Sequence, residues 1–172
     1  RADTPIFDLG CGAGYVANAL TRLGYRVIGV DPSPSARRLS QQAYPDLDLQ
    51  VGSAYDNLAQ QYGRFEVVIS LHVVEHLQDP RAYARTLFDL LCPGGTVIVS
   101  TPHHSYWTNL AMALAGATDR HIDPLCDGGR IRFWSLNTFG RLLRETGFTV
   151  QYVRRIGRIG PLARSMVAVA TR

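Results

Sequence analysis

The chain has 172 residues, 46% of them hydrophobic and 19% charged, and this size and composition predict a single globular domain spanning residues 1–172. All of its basic residues are arginine, and the net charge of +4 is spread without a long basic run, so we expect no nucleic-acid partner. Three widely separated cysteines indicate reduced thiols rather than a disulfide framework. The longest apolar stretches are only of strand length, so we predict no membrane span, no signal peptide and a cytoplasmic location.

Segments of strand and helix type alternate from the start of the chain. The strand "PIFDLG" precedes an amphipathic helix whose apolar side is predicted to carry Val16, Leu20 and Leu23. A second strand, "RVIGVD", leads to Ser33, which can cap a helix that begins at Pro34. The segments "LDLQVG" and "FEVVISL" are predicted as the third and fourth strands, and the latter has the continuous apolar run of a strand covered on both faces.

The next helix is signalled by Asp79 and Pro80, is predicted to turn Tyr83, Leu87 and Leu90 towards the sheet, and is expected to end at "CPGG". The fifth strand is "TVIVST". Residues 103–134 then form an irregular stretch rich in His, Asp, Gly and aromatic residues, for which we expect the role of an acceptor-site or lid insertion.

A last helix is predicted from Leu136 to Thr146, ended by Gly147, and two closing strands, "FTVQYVRR" and "SMVAVATR", follow. The short connection between these two strands favours antiparallel pairing. The sequence therefore predicts an α/β fold: a doubly wound, mostly parallel seven-stranded sheet with helices on both faces and a last antiparallel strand. Because the chain begins at Arg1 rather than at methionine, we expect that an N-terminal portion precedes it in the whole protein.

The turn after the first strand reads "DLGCGAGY", and ligands of such sheets bind at the carboxyl ends of strands. Gly10, Gly12 and Gly14 allow the backbone to approach a ligand where a side chain would collide. The third glycine of a dinucleotide fingerprint is replaced by Tyr15, which counts against NAD or FAD. Asp31 ends the second strand, where a carboxylate can accept both hydroxyls of a ribose.

Asp8 lies just before the glycines. A carboxylate at this point would oppose a pyrophosphate and would suit a ligand with an ammonium or sulfonium group.

The sequence resembles the class I S-adenosylmethionine-dependent methyltransferases. The segments "DLGCGAGY", "GVDPS", "FEVVISLHVVEHLQD" and "LLCPGGTVIVSTP" lie in the order and spacing of that family. The segments "VVEHLQDP", "STPHHSYW" and "RFWSLNTFGRLLRETGF" look most like the ubiquinone-biosynthesis O-methyltransferases and their unassigned relatives. The resemblance implies a Rossmann-like methyltransferase fold, S-adenosylmethionine as cofactor and S-adenosylhomocysteine as product.

The resemblance also implies cofactor contacts. The glycine loop would meet the methionine and ribose portions, Asp31 the ribose and Leu71 the adenosyl region. Ser53 and Ala54 follow the third strand, where the family usually contacts the adenine; many relatives carry an acid there, which leaves the Ser53 contact open. The predicted cofactor-binding residues are thus Asp8, Gly10, Gly12, Gly14, Asp31, Ser53, Ala54 and Leu71.

The segment "LHVVEH" holds His72, Glu75 and His76 in a spacing that on a helix would put three metal ligands on one face. A zinc peptidase would need this motif inside a long helix, whereas here it follows the fourth strand. Some ubiquinone-type relatives resemble a Glu-x-x-Glu-His metal site at this location; His72 in place of the first Glu would weaken Mg²⁺ and favour a softer metal. We predict no metal, with these three residues as the alternative.

Methyl transfer from a sulfonium depends mainly on alignment and exclusion of water, but an oxygen acceptor must still lose a proton. Imidazole titrates near working pH, so the candidate bases are His72, His104 and His121, with His103 beside them. Four aromatic residues could form an acceptor pocket or lid, or simply pack a long loop onto the sheet: Tyr106, Trp107, Phe133 and Trp134.

These observations predict an S-adenosylmethionine-dependent methyltransferase that methylates an oxygen of a small aromatic or lipid-like acceptor. The alternatives are a non-catalytic relative that binds cofactor or a partner, and, disfavoured by Tyr15 and by the helix-free final strand pair, an NAD-dependent oxidoreductase. The acceptor, the choice among O-, N- and C-methylation, and the oligomeric state are left open.

Overall fold

The computed structural model describes residues 4–103, 106, 110, 113–116, 129–157 and 163–172. Within these ranges the strands are β1 (Ile6–Leu9), β2 (Val27–Asp31), β3 (Asp48–Val51), β4 (Phe65–Leu71), β5 (Leu91–Pro102), β6 (Thr149–Ile156) and β7 (Ser165–Thr171). The helices are α1 (Tyr15–Arg22), α2 (Pro34–Ala43), α3 (Leu58–Tyr62), α4 (Pro80–Asp89) and α5 (Leu136–Thr146), and a short 3₁₀ turn covers Val74–His76.

All seven strands form one sheet in the order β3-β2-β1-β4-β5-β7-β6. The first five strands pair in parallel, whereas β7 runs antiparallel to both β5 and β6. The predicted sheet, including its single antiparallel strand, is therefore confirmed. Strand order reverses between β1 and β4, and the crevice above such a reversal is where open α/β sheets bind ligands.

Two apolar clusters cover the two faces of the sheet. Ile6 belongs to the smaller cluster with Ala17 and Leu49, whereas Phe7 belongs to the larger cluster, because successive side chains of a strand point to opposite faces. All four residues of β1 are buried. The site described below thus stands at the end of a strand that is enclosed on both sides.

Side-chain caps at Ser33 and Asp79 begin two helices where the sequence predicts them. The Ala36 amide donates to Ser33 Oγ at 3.2 Å, and the Arg81 and Ala82 amides both donate to Asp79 Oδ1 at 3.0 Å. Ser135 caps α5, which ends at Gly147 as expected.

Two local predictions were wrong. Val16 of α1 and Leu23, which directly follows that helix, are exposed, by 38% and 71%, and the fully buried residue of α1 is Ala17. A methyl side chain lets the helix lie close to the sheet, so the buried face is rotated from the one that the larger apolar residues suggested. The "CPGG" segment lies inside β5 rather than at the end of a helix, because pairing with β4 already begins between Phe65 and Leu91.

None of the helices in the described part of the chain combines the length and the apolar character that crossing a bilayer requires.

Candidate functional site

The loop from Gly10 to Gly14 joins β1 to α1 at the reversal of strand order. Gly10 has a φ of +83°, and a Cβ added there would lie 2.2 Å from Val73 Cγ2, so only glycine fits. Gly12 has a φ of +52°, and a Cβ there would meet no protein atom within 4 Å. The loop therefore presses against the segment after β4 at Gly10 and borders open space at Gly12.

Asp31 lies beside this loop at the end of β2. Its Oδ2 accepts a hydrogen bond from the Gly12 amide at 2.9 Å, and its Oδ1 accepts one from the Ser33 amide, also at 2.9 Å. Because each carboxylate oxygen has two lone pairs, Asp31 retains acceptor capacity beyond these two bonds.

Asp8 is a buried acid beneath the loop, with 2% of its surface exposed. Its Oδ2 has no hydrogen-bond partner among the described residues. Burial, together with the negative charge of Asp31, raises the pKa of Asp8 from the usual 3.8 to about 7. A buried carboxylate oxygen without a partner is costly, so this position favours a cationic or hydrogen-bond-donating ligand.

The turn after β3 contains Ser53 and Ala54. The Ser53 amide donates to Asp56 Oδ2 at 2.7 Å, the Tyr55 amide donates to Ser53 Oγ at 3.1 Å, and Ala54 is buried. Many relatives carry an acid at the position of Ser53. In this chain Asp56 brings a carboxylate to the same turn. Sequence position alone did not indicate this residue, because it stands three places further along the chain.

His72 follows Leu71 at the end of β4 in a left-handed conformation, with a φ of 60°. It is the one described non-glycine residue with a positive φ, and such strain is typical of functional sites. Its amide donates to the Ser100 carbonyl at 3.0 Å, which links this turn to β5. Its side chain is 48% exposed.

The buried Glu75 carboxylate forms a hydrogen bond with the His72 ring. Glu75 Oε1 lies 3.2 Å from His72 Nδ1, and Oε2 accepts from Thr101 Oγ1 at 3.0 Å. Burial opposes ionisation of Glu75, which is 1% exposed, but hydrogen bonds from His72, the backbone and Thr101 outweigh it and keep the pKa of this carboxyl below its usual value. The pair is therefore a buried carboxylate that orients an accessible imidazole.

His76 lies between Glu75 and the last residues of the insertion. Its Nε2 lies 3.9 Å from Glu75 Oε1, while its Nδ1 lies 3.1 Å from the carbonyl oxygen of Gly129. Among the residues that the structure describes, no group of three or more His, Cys, Asp or Glu side chains is arranged to hold a metal ion.

The end of the predicted insertion docks onto this turn. The amides of Ile131 and Arg132 both donate to the carbonyl of Glu75, at 2.9 and 3.1 Å. The Arg132 guanidinium donates to the carbonyl of Leu77 at 3.0 Å and to that of Gln78. No sequence signal identifies Arg132, because its partners are backbone carbonyls that any residue could supply.

Of the remaining candidate histidines, the structure describes His103 only. His103 is 8% exposed, and its Nε2 accepts from Arg155 Nε at 3.2 Å. Burial, together with the positive charge of Arg155, lowers the pKa of His103. His104 and His121, like Trp107, lie outside the described residues, whereas Tyr106 and Phe133 are exposed and Trp134 is half-buried. Trp134 also forms a bridge with His103 that ties the two ends of the insertion together.

Comparison with known proteins identifies the family. The model of a family described as "Methyltransferase domain" matches residues 1–153. The chain belongs to the class I S-adenosylmethionine-dependent methyltransferases.

Relatives of this methyltransferase chain include two named ubiquinone biosynthesis O-methyltransferases. That of Ruegeria pomeroyi is 38% identical over 116 residues, which are 65% of this chain and 46% of the relative. That of Xanthomonas campestris is 36% identical over 128 residues, which are 72% of this chain and 52% of the relative. The chain therefore spans about half the length of these relatives.

Solved methyltransferase structures share the fold. An S-adenosylmethionine-dependent methyltransferase from Mesorhizobium loti has a TM-score of 0.76 at 19% identity, covering 99% of this chain and 91% of its own. One from Methanosarcina mazei has a TM-score of 0.76 at 19% identity, covering 100% and 93%.

The family implies S-adenosylmethionine as cofactor, and the residues of this methyltransferase chain fit that group. The ligand carries an ammonium and a sulfonium, which match the unpartnered carboxylate oxygen of Asp8. Its ribose hydroxyls match the remaining acceptor capacity of Asp31, and the open space at Gly12 leaves room for a ligand against the backbone. Gly10, Ser53, Ala54 and Leu71 follow or end strands at the same edge of the sheet and remain predicted contacts. Gly14 remains a predicted contact too, but it is buried against Leu49, whose Cδ1 would lie 2.6 Å from an added Cβ.

Proposed function

We propose that this chain transfers a methyl group from S-adenosylmethionine to an oxygen atom of a small aromatic or lipid-like acceptor. The observation that carries the proposal is the His72–Glu75 pair, which stands at the end of β4, directly beside the segment that touches the glycine loop through Val73. A group oriented there can act on an acceptor while the glycine loop and Asp31 hold the cofactor.

The cofactor supplies an electrophilic methyl group: its S–CH₃ bond breaks as the O–CH₃ bond forms, the acceptor hydroxyl releases its proton, and S-adenosylhomocysteine remains. This chain's residues would align the two reactants and remove that proton. The Glu75 carboxylate accepts the Nδ1–H of His72, which leaves Nε2 of the ring as the proton acceptor. The exposure of the His72 side chain, at 48%, keeps that nitrogen accessible.

The choice of an oxygen acceptor is supported by the relatives named as ubiquinone biosynthesis O-methyltransferases and by a base beside the crevice. The insertion at 103–134 would supply the acceptor side, since its last residues bond to the Glu75 turn that carries His72. His104 and His121 remain candidate bases within it. We propose no metal, because His72 Nδ1 faces Glu75 Oε1 at 3.2 Å and His76 Nδ1 faces the Gly129 carbonyl at 3.1 Å, so these ring nitrogens are engaged with protein oxygens.

Calorimetric titration with S-adenosylhomocysteine, in parallel with NAD and with and without a chelator, tests the cofactor. We expect binding of the adenosyl ligand alone, indifferent to the chelator. Chelator sensitivity would instead favour the metal alternative of His72, Glu75 and His76.

Incubation with S-adenosylmethionine and a set of phenols, catechols, amines and prenylated phenols, read by mass spectrometry, tests the transfer itself. Methylation of a hydroxyl compound supports the proposal. Methylation of amines alone would contradict the oxygen acceptor, and cofactor binding without any transfer would identify a non-catalytic relative.

A further inference from the structure

A chain of two buried hydrogen bonds runs beneath the crevice. The Tyr83 hydroxyl donates to Ser70 Oγ at 2.8 Å, and the Ser70 hydroxyl donates to the Leu9 carbonyl at 2.8 Å. Tyr83 and Ser70 are fully buried, and Leu9 is 1% exposed. The bonds therefore connect α4 through β4 to the last residue of β1, with no exposure to water.

These two hydrogen bonds lie at the point where β1 and β4 separate. Backbone pairing between these strands ends at Asp8 and Ile69, one residue before Leu9. Ser70 thus satisfies the Leu9 carbonyl with a side chain at the point beyond the last paired residues. The strands part here because strand order reverses between them, which opens the crevice.

The position of the Leu9 carbonyl determines the position of the glycine loop. Gly10 follows directly, and its amide donates to the Val30 carbonyl at 2.7 Å on the other side. On the side of β4 the loop is closely packed, since a Cβ at Gly10 would lie 2.2 Å from Cγ2 of Val73, which follows that strand. The loop is therefore pinned from β2 by a backbone bond and from β4 by the Ser70 hydroxyl.

We propose that Ser70 and Tyr83 are positioning residues that hold the glycine loop in the geometry required for cofactor binding, an inference that rests on the proposed function. Ser70 supplies the donor to Leu9, and Tyr83 fixes the orientation of the Ser70 hydroxyl. Neither residue reaches the crevice itself, so their effect on the cofactor passes through Gly10.

Three variants separate positioning from simple stability. Ser70→Ala removes the donor to Leu9 and also leaves the Tyr83 hydroxyl buried without a partner, which destabilises the fold. Tyr83→Phe removes only the outer bond. The double variant Ser70→Ala/Tyr83→Phe also removes the Tyr83 hydroxyl that Ser70→Ala leaves without a partner, so it should be more stable than Ser70→Ala. It still lacks the donor to the Leu9 carbonyl. Stability and cofactor affinity should therefore respond differently in the double variant.

The experiment is calorimetric titration with S-adenosylhomocysteine, with urea unfolding of the same samples. We expect the affinity of Ser70→Ala to fall about tenfold, the net contribution of one hydrogen bond, and that of Tyr83→Phe about twofold to threefold. The double variant should unfold at higher urea than Ser70→Ala yet bind as weakly. Thr86→Val, which removes a hydroxyl bonded to Ala82 within α4, is the matched control and should bind like the wild type.

Affinity that recovers with stability in the double variant would show a purely structural role and overturn the inference. Wild-type affinity in all three variants would do the same. If Ser70→Ala does not fold, Tyr83→Phe and the double variant decide the outcome. Failure of the wild type to bind the ligand would instead contradict the proposed function and, with it, this inference.

Discussion

The backbone amide of Gly12 donates to Asp31 Oδ2 across 2.9 Å, which joins the loop after β1 to the end of β2. The same carboxylate accepts the Ser33 amide through its other oxygen. One side chain therefore shapes the glycine loop and the start of the next helix at the edge where we propose that the cofactor binds.

Replacing Asp31 with alanine should weaken S-adenosylhomocysteine binding by roughly 2 to 4 kcal/mol, because two charge-assisted hydrogen bonds to the ribose would be lost. Asp31→Asn should lose less, since it retains one acceptor oxygen. Calorimetry measures both, with Asp48→Ala on neighbouring β3 as control. Unchanged affinity in Asp31→Ala would remove Asp31 from the site.

Alanine at Gly12 should mainly lower ligand affinity, whereas alanine at Gly10 should mainly lower the stability of the fold. At Gly12 a Cβ meets no protein atom, so the fold should lose only the roughly 1 to 2 kcal/mol of a left-handed alanine, while ligand affinity falls sharply because the methyl enters the crevice. At Gly10 the clash with Val73 should lower stability well beyond that. Urea unfolding and calorimetry of both variants check this contrast. Wild-type affinity in Gly12→Ala would show that the ligand lies elsewhere.

Asp8→Asn should stabilise the ligand-free protein more at about pH 8 than at about pH 5. In the folded protein Asp8 holds its proton up to about pH 7, whereas in the unfolded chain it loses it near 3.8. Rising pH through that window therefore destabilises the wild type, by at most about 1.4 kcal/mol per pH unit, and leaves the asparagine variant unaffected at this position. Urea unfolding across the window measures the difference. Identical slopes for the two proteins would show that Asp8 ionises normally.

His72→Asn should lower the methyl transfer rate by roughly 10²- to 10⁴-fold, the usual contribution of a general base, and leave S-adenosylhomocysteine affinity unchanged. Asparagine tolerates the left-handed backbone at this position, so the turn should persist. Glu75→Gln should also slow transfer, because it removes the charge that orients the ring. His76→Asn is the control. Full activity in His72→Asn would leave His104 or His121 as the base.

Arg132→Met should loosen the segment from Gly129 to Trp134. Methionine keeps an apolar stem but loses the hydrogen bonds to Leu77 and Gln78. Since Arg132 is exposed, we expect a modest loss of stability, about 1 kcal/mol, but clearly faster hydrogen exchange at the amides that donate to the Glu75 carbonyl. Mass spectrometry of that segment measures the exchange. Equal rates in Arg132→Met and in Arg130→Met, the exposed control, would show that the guanidinium does not hold the segment.

Local chemistry explains what the sequence predicted well. Ser33 and Asp79 each stand before a proline and cap a helix in the structure, and the apolar runs before Gly10 and His72 are buried strands. These features depend on residues a few positions apart, so periodicity and capping preferences reveal them. Asp31 could be found in the same way, because parallel strands end at one edge of the sheet.

The tertiary structure decided the features that depend on distant partners. Ser70 bonds to Leu9, 61 positions away, and Arg132 to Leu77, 55 positions away, and both use backbone carbonyls that leave no trace in the sequence. The choice of Ala17 over Val16 as the buried residue of α1 depends on how closely that helix approaches the sheet. The sequence by itself determined the succession of strands and helices along the chain, the glycine loop and the residues available for chemistry. Only the packing of elements that are remote in sequence determined which polar groups meet. A hydrogen bond needs its two heavy atoms within about 3 Å, and the pattern of neighbouring residues in the sequence carries no information about that distance.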